Sequence, residues 1–121
     1  MEAARSHIGF DLDSLQALQF SRPRDMISLH RFAQRFGYEF SRLELLSHVS
    51  PGTARDNPFN RRVQSFMRAA LELVSRKMAL AADLDTAIAW FKSEHLPEHG
   101  GRTPEEVVAE GKEKALLRDL H

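Results

Sequence analysis

The chain contains no cysteine. That excludes disulfides and thiolate metal sites, and nothing in the residue chemistry points to export. Long apolar runs are also missing: the longest falls well short of the roughly 20 residues a membrane helix needs. Residues 1–20 lack the apolar centre of a signal peptide, so a soluble cytoplasmic protein is expected. Charge of one sign is not in excess, since 17 basic residues face 17 acidic ones. A strongly basic nucleic-acid binder is therefore disfavoured, although a local basic face is not. Strand-like alternation, low-complexity segments and solenoid-period repeats are absent. So are a Gly-x-Ser-x-Gly elbow, a P-loop, a dinucleotide fingerprint and a Ser/His/Asp arrangement. Without an acid–base or nucleophile constellation the chain is expected not to be an enzyme, and no cofactor is implied.

What is present is helical spacing. A hydrophobic fraction of 42% over 121 residues is enough for one core. Leu12, Leu15 and Leu18 fit a short first helix capped by Asp11 or Asp13. Asp25 or Ser28 opens a helix whose face is Leu29, Phe32, Ala33 and Phe36, and Gly37 stops it. Ser41, with Glu44 three residues on, reads as a capping box for a helix carrying Leu43, Leu45 and Leu46. Ser50 then caps and Pro51 begins a short helix that Pro58 ends. Asn60 caps the longest helix, about Arg61 to Ala82, with a wide apolar stripe of Val63, Phe66, Met67, Ala70, Val74 and Met78. So wide a stripe on so small a protein leads us to expect a homodimer.

Residues 87–117 carry the densest local signals. Ala87, Ile88 and Phe91 share a helical face that Asp83 or Asp85 caps. Pro97 ends that helix, and Gly100–Gly101 permit a tight turn. Thr103 fits an N-cap and Pro104 the first helical position. Glu105 and Glu106 place negative charge at the positive end of the helix dipole; they and Glu110 read as first-turn charges and a solvated face rather than paired acids. Gly111 offers a left-handed stop before a last helix, Lys112–Leu120. The fold class is all-α, with seven or eight helices. Residues 1–25 form an N-terminal extension, 26–59 a helix-turn-helix-like region, and 60–121 a long helix followed by a compact bundle.

Arginine supplies all the positive charge of residues 22–62, where eight arginines face four acids. Arginine is the better fork for phosphates and guanine edges. Residues 40–59 have the rhythm of a helix-turn-helix, with Leu43, Leu46 and Val49 inward and Gly52, Thr53, Arg55 and Asp56 outward. Read as a DNA-binding element, it places Thr53 and Arg55 near bases and Arg61 and Arg62 on phosphates; read blandly, it is a packed helical corner. Gly52, Asp56 and Pro58 are poor residues for a groove-reading helix. His95 and His99 have metal-like spacing, but Pro97 between them rules out a shared helix, and no metal site is expected. Of the adjacent pair Trp90 and Phe91, one ring must leave the face used by the other and become a candidate partner contact.

The stretch Ala87…Trp90-Phe91, Pro97, Gly100-Gly101-Arg102-Thr103-Pro104, Val107-Val108, Gly111 resembles the C-terminal domain of the Xre/MbcA/ParS-type antitoxins. Residues 50–64 look like that family's recognition-helix exit and the start of its connecting helix. The likeness covers roughly residues 28–120 and is most specific in the last third. It implies an N-terminal helix-turn-helix that binds an operator. It also implies an all-helical domain that homodimerises and binds a RES-type toxin, an enzyme that consumes NAD; such an antitoxin blocks the toxin's active site and represses its own operon. By position, the toxin-facing residues implied are Glu98, Gly100, Gly101, Arg102, Thr103, Lys114, Arg118 and His121. The alternative is a solitary dimeric DNA-binding regulator without a toxin.

Overall fold

The computed structural model describes residues 26–80 and 83–120. The expected first helix over Leu12–Leu18 and the terminal His121 lie outside the described residues. Within them the fold is all-α, with seven helices and no strand. None of these helices is long and apolar enough to cross a membrane.

Helix α1 spans Leu29–Phe36. Ser28 caps it by accepting from the Arg31 amide at 3.2 Å, and Gly37, at φ 74°, closes it. Its buried face is Leu29, Phe32, Ala33 and Phe36. Phe32 and Phe36 stack at 4.2 Å, and Phe36 meets Phe91 edge-on at 6.2 Å. Burying each such ring stabilises the fold by about 1.5–3 kcal/mol.

Helix α2 spans Phe40–Ser47 and α3 only Thr53–Asp56. Two expectations fail here. Ser41 sits inside α2, whose N-cap is Glu39 without a side-chain bond, so there is no Ser41–Glu44 capping box. Ser50 and Pro51 do not open α3: its N-cap is Gly52, at φ 90°. Glu44 explains both departures. Its Oε2 accepts from the Gly52 and Ala54 amides, each at 2.9 Å, so it caps the next helix rather than its own. Leu43 and Leu46 are buried, Val49 is half-buried, and Leu45 is 64% exposed.

Helix α4, Arg61–Ala79, is the axis of the fold and ends three residues sooner than its sequence pattern indicates. Asn60 caps it, accepting from Arg62 and Val63. Val63, Phe66, Met67, Ala70, Leu71, Leu73 and Val74 are buried on its inner side, and Met78 is half-buried. Gln64 is buried with them, and its amide pairs with both the N–H and the C=O of Ile27 at 2.9 Å. Helix α5 spans Leu84–Ser93 and is capped by Asp83, which accepts from the Thr86 amide at 2.7 Å. Helix α6 spans Pro104–Ala109 and α7 Glu113–Asp119. Around α4 pack α2, α5, α6 and α7. The hydrophobic core is one cluster running from Ile27 to Leu116, with members on both sides of Pro58.

Candidate interaction surface

Helix α5 hands the chain to a corner made from its own backbone. Phe91 is buried; Trp90, on the adjoining position, is half-buried with the Lys77 ammonium 5.1 Å from its ring centre. Pro97–His99 form one 3-10 turn, and Gly100 and Gly101 follow at φ 71° and 80°. Leu96 and Arg102 pair across the turn: the Leu96 amide donates to Arg102 at 2.9 Å, and the Gly101 amide donates back to Leu96 at 2.8 Å. His95 Nδ1 lies 2.8 Å from the Gly101 carbonyl oxygen and braces the corner from outside. Only φ angles in this left-handed range let the turn close, which is why two glycines stand there.

Thr103 then starts α6 with a complete capping box. Its hydroxyl accepts from Glu106 at 3.2 Å, and the Glu106 carboxylate accepts from the Thr103 amide at 2.9 Å. Pro104 holds the first helical position. Gly111, at φ 78°, turns the chain into α7.

Two side-chain contacts tie this corner to its surroundings. Arg102 Nε pairs with Glu110 at the end of α6. His99 Nε2 lies 2.9 Å from Asp119 Oδ2, at the end of α7. Among the residues implied as toxin-facing, Glu98, Gly100, Gly101, Arg102, Lys114 and Arg118 are exposed. Thr103 is not: it is 6% exposed, with its hydroxyl committed to the cap. Beside the exposed set, Trp90, Leu96, Leu116, Leu120 and Glu98 line a cleft of about 510 Å³.

The residues singled out for DNA lie elsewhere, around the α2–α3 corner. Arg55 is 81% exposed and only loosely paired with Asp56 at 4.0 Å. Thr53 is half-buried at the start of α3. Arg61 is exposed on the first turn of α4; Arg62 is exposed too, but donates to the His48 carbonyl at 3.0 Å. The structure thus separates Arg62, which closes the end of α2, from Arg55, held only loosely by Asp56, and from the exposed Arg61.

Sequence reasoning missed a buried polar cluster. Glu105 does not belong to a solvated face: it is 4% exposed and accepts from the Tyr38 hydroxyl and, at 2.8 Å, from Arg42 Nη2. Packing explains the difference, because the first turn of α6 faces the α1–α2 loop instead of water. Burial chiefly, then the hydrogen bond to Glu105 and its charge, push Tyr38 ionisation far above its ordinary value; Arg42 works weakly the other way. The hydrogen bond to Glu105 in turn raises the Arg42 pKa. A phenol held neutral this way is a structural donor and a poor general base. Lys92 completes the cluster, with its ammonium 4.7 Å from the Tyr38 ring centre and donating to the Phe36 carbonyl at 2.7 Å. The described residues contain no group of three or more His, Asp or Glu side chains able to hold a metal.

No protein-family model, curated protein or solved structure matches the chain.

Proposed function

We propose that this chain is an antitoxin-type interaction protein of the cytoplasm. In this reading its last third docks on a RES-type toxin and blocks that enzyme, and the chain, as a homodimer, represses its own operon. One observation carries the reading: the His99–Asp119 contact at 2.9 Å. It ties the glycine corner to the last helix, the two segments from which the residues implied by the sequence resemblance come. Glu98, Gly100, Gly101 and Arg102 come from one segment; Lys114 and Arg118 come from the other. The neighbouring cleft at Trp90 and Leu120 offers an apolar anchor point of the sort that dominates interface energy.

Co-expression with the product of the adjacent gene, followed by pull-down and a growth assay, tests the proposal. A complex burying at least the roughly 1,600 Å² of a standard interface, with rescue of growth, is expected. No complex and no rescue would remove the toxin from the account.

The second reading is a solitary dimeric regulator that binds DNA. The exposed guanidinium groups of Arg55, loosely paired with Asp56, and of Arg61 favour it. The four residues of α3 weigh against deep groove reading, since a helix rises only about 1.5 Å per residue. This reading requires a palindromic site with half-sites one helical turn, or a multiple of it, apart. Binding should weaken steeply with salt, because phosphate contacts release counterions.

A further inference from the structure

A second cleft, of about 490 Å³, opens between the end of α2, the first half of α4 and the α6–α7 junction. Its volume lies within the roughly 300–1,000 Å³ of small-molecule sites. Leu46, Phe66, Ala69 and Val108 make its lining apolar, while Arg61 and Arg62 bring two guanidinium groups to it.

Two observations distinguish this cleft from ordinary surface relief. First, the Arg61 guanidinium has no ion-pair or hydrogen-bond partner among the described residues, and Arg62 donates to a backbone carbonyl rather than to a carboxylate. Two cationic forks therefore line the cleft, neither of them paired with its one acid, Glu113. Second, the wall is held in place. His48 Nε2 donates to the Ala109 carbonyl at 2.7 Å, joining the end of α2 to the end of α6, and Arg62 closes on the His48 carbonyl.

We infer that this cleft binds a small organic monoanion with a flat apolar body, of the aromatic carboxylate class. The carboxylate pairs with the Arg61 and Arg62 forks, whose planar geometry matches two oxygens. The ring lies on the apolar lining. Glu113 is the single acid on the lining. Its charge disfavours a dianion and limits the site to a singly charged ligand. This inference does not depend on the toxin reading, and its test involves neither toxin nor DNA.

The full chain, labelled with nitrogen-15, is titrated with 2-naphthoate, with 2-naphthamide and with inorganic phosphate. Saturable binding of naphthoate is expected, with shifts centred on Ser47, Ala109 and Gly111. Affinity should exceed that for the neutral amide and for phosphate by about tenfold or more, the scale of a charge-assisted pair. Arg61→Gln, on an exposed side chain, should remove most of that preference while leaving the spectrum folded. Ala69→Leu should fill the lining and weaken naphthoate and naphthamide alike, and Glu113→Gln should tighten naphthoate. Equal affinity for acid and amide, indifference to Arg61→Gln, or shifts centred away from the cleft would each overturn the assignment. Phosphate binding as tight as naphthoate would overturn it too, marking instead a bare anion site such as a DNA backbone would use.

Discussion

The Tyr38 hydroxyl donates to the Glu105 carboxylate, joining residues 67 positions apart. In the unfolded chain this phenol ionises near its ordinary 10.0; in the folded chain it ionises far later. The sign follows directly. Below pH 10 both states keep the proton, and the contribution is fully present. Above it the unfolded state loses a proton that the folded state retains, so stability falls with pH at up to about 1.4 kcal/mol per unit. Tyr38 is the only tyrosine in the chain, so phenolate absorbance reports it alone. Absorbance should stay flat through pH 10 and rise only with alkaline unfolding. Smooth titration near pH 10 in a protein that remains helical would contradict the structure.

The same cluster gives a stability prediction. Tyr38→Phe leaves Glu105 with Arg42 and should cost about 1–2 kcal/mol, the scale of a lost buried hydrogen bond. Glu105→Ala strands both donors at once. Arg42 is 45% exposed and water can solvate it, so the loss is placed at about 2–4 kcal/mol rather than at the full value of a buried pair. Urea midpoints of the two variants should rank in that order.

Glu44 makes a narrower prediction. It is 6% exposed and holds the Gly52 and Ala54 amides. Replacement by Ala should cost about 1–2 kcal/mol, as other lost helix caps do. The effect should be local: hydrogen exchange should speed up most at those two amides. Glu44→Gln keeps an acceptor oxygen and should recover part of the protection. Uniform loss of protection across α4 and α5 would show that Glu44 supports the core instead.

These clusters also mark the limit of what sequence could tell. Thr103, Pro104 and Glu106 announced α6 because every partner in a capping box lies within three residues. Ser28, Asn60 and Asp83 were legible as caps for the same reason. Ser41 and Glu44 have the same spacing and misled, since Glu44 finds better donors across the turn at Gly52 and Ala54. Tyr38, Arg42 and Glu105 gave no local hint at all: their pairing exists only once α6 packs beside the α1–α2 loop. The glycine corner was readable as a turn, but its tie to α7 through Asp119 was not.

That tie yields a further test. His99 is 15% exposed and Asp119 46%, so water competes for the contact, which should be worth about 0.5–1 kcal/mol. Asp119→Asn should therefore barely move the melting temperature. It should still loosen the last turn of α7 and broaden the amide signals of residues 98–101. Those signals staying sharp would mean that the corner is held by Leu96 and Arg102 alone.

The two corner glycines should respond differently to alanine. Both have positive φ, and leaving that region unavailable to a side chain costs roughly 1–2 kcal/mol in each case. At Gly101 a new Cβ meets nothing within 4 Å, so Gly101→Ala should register backbone strain alone. At Gly100 the Cβ comes within 3.0 Å of Arg102 Nη1. A flexible guanidinium can yield, but in yielding it leaves the His99 carbonyl and disturbs its pair with Glu110. The two variants should thus lose similar stability in thermal melts. Only Gly100→Ala should shift the Arg102 side-chain Nε resonance and the Glu110 amide. Matching spectra at Arg102 in both variants would mean that its guanidinium does not rest on the corner as described.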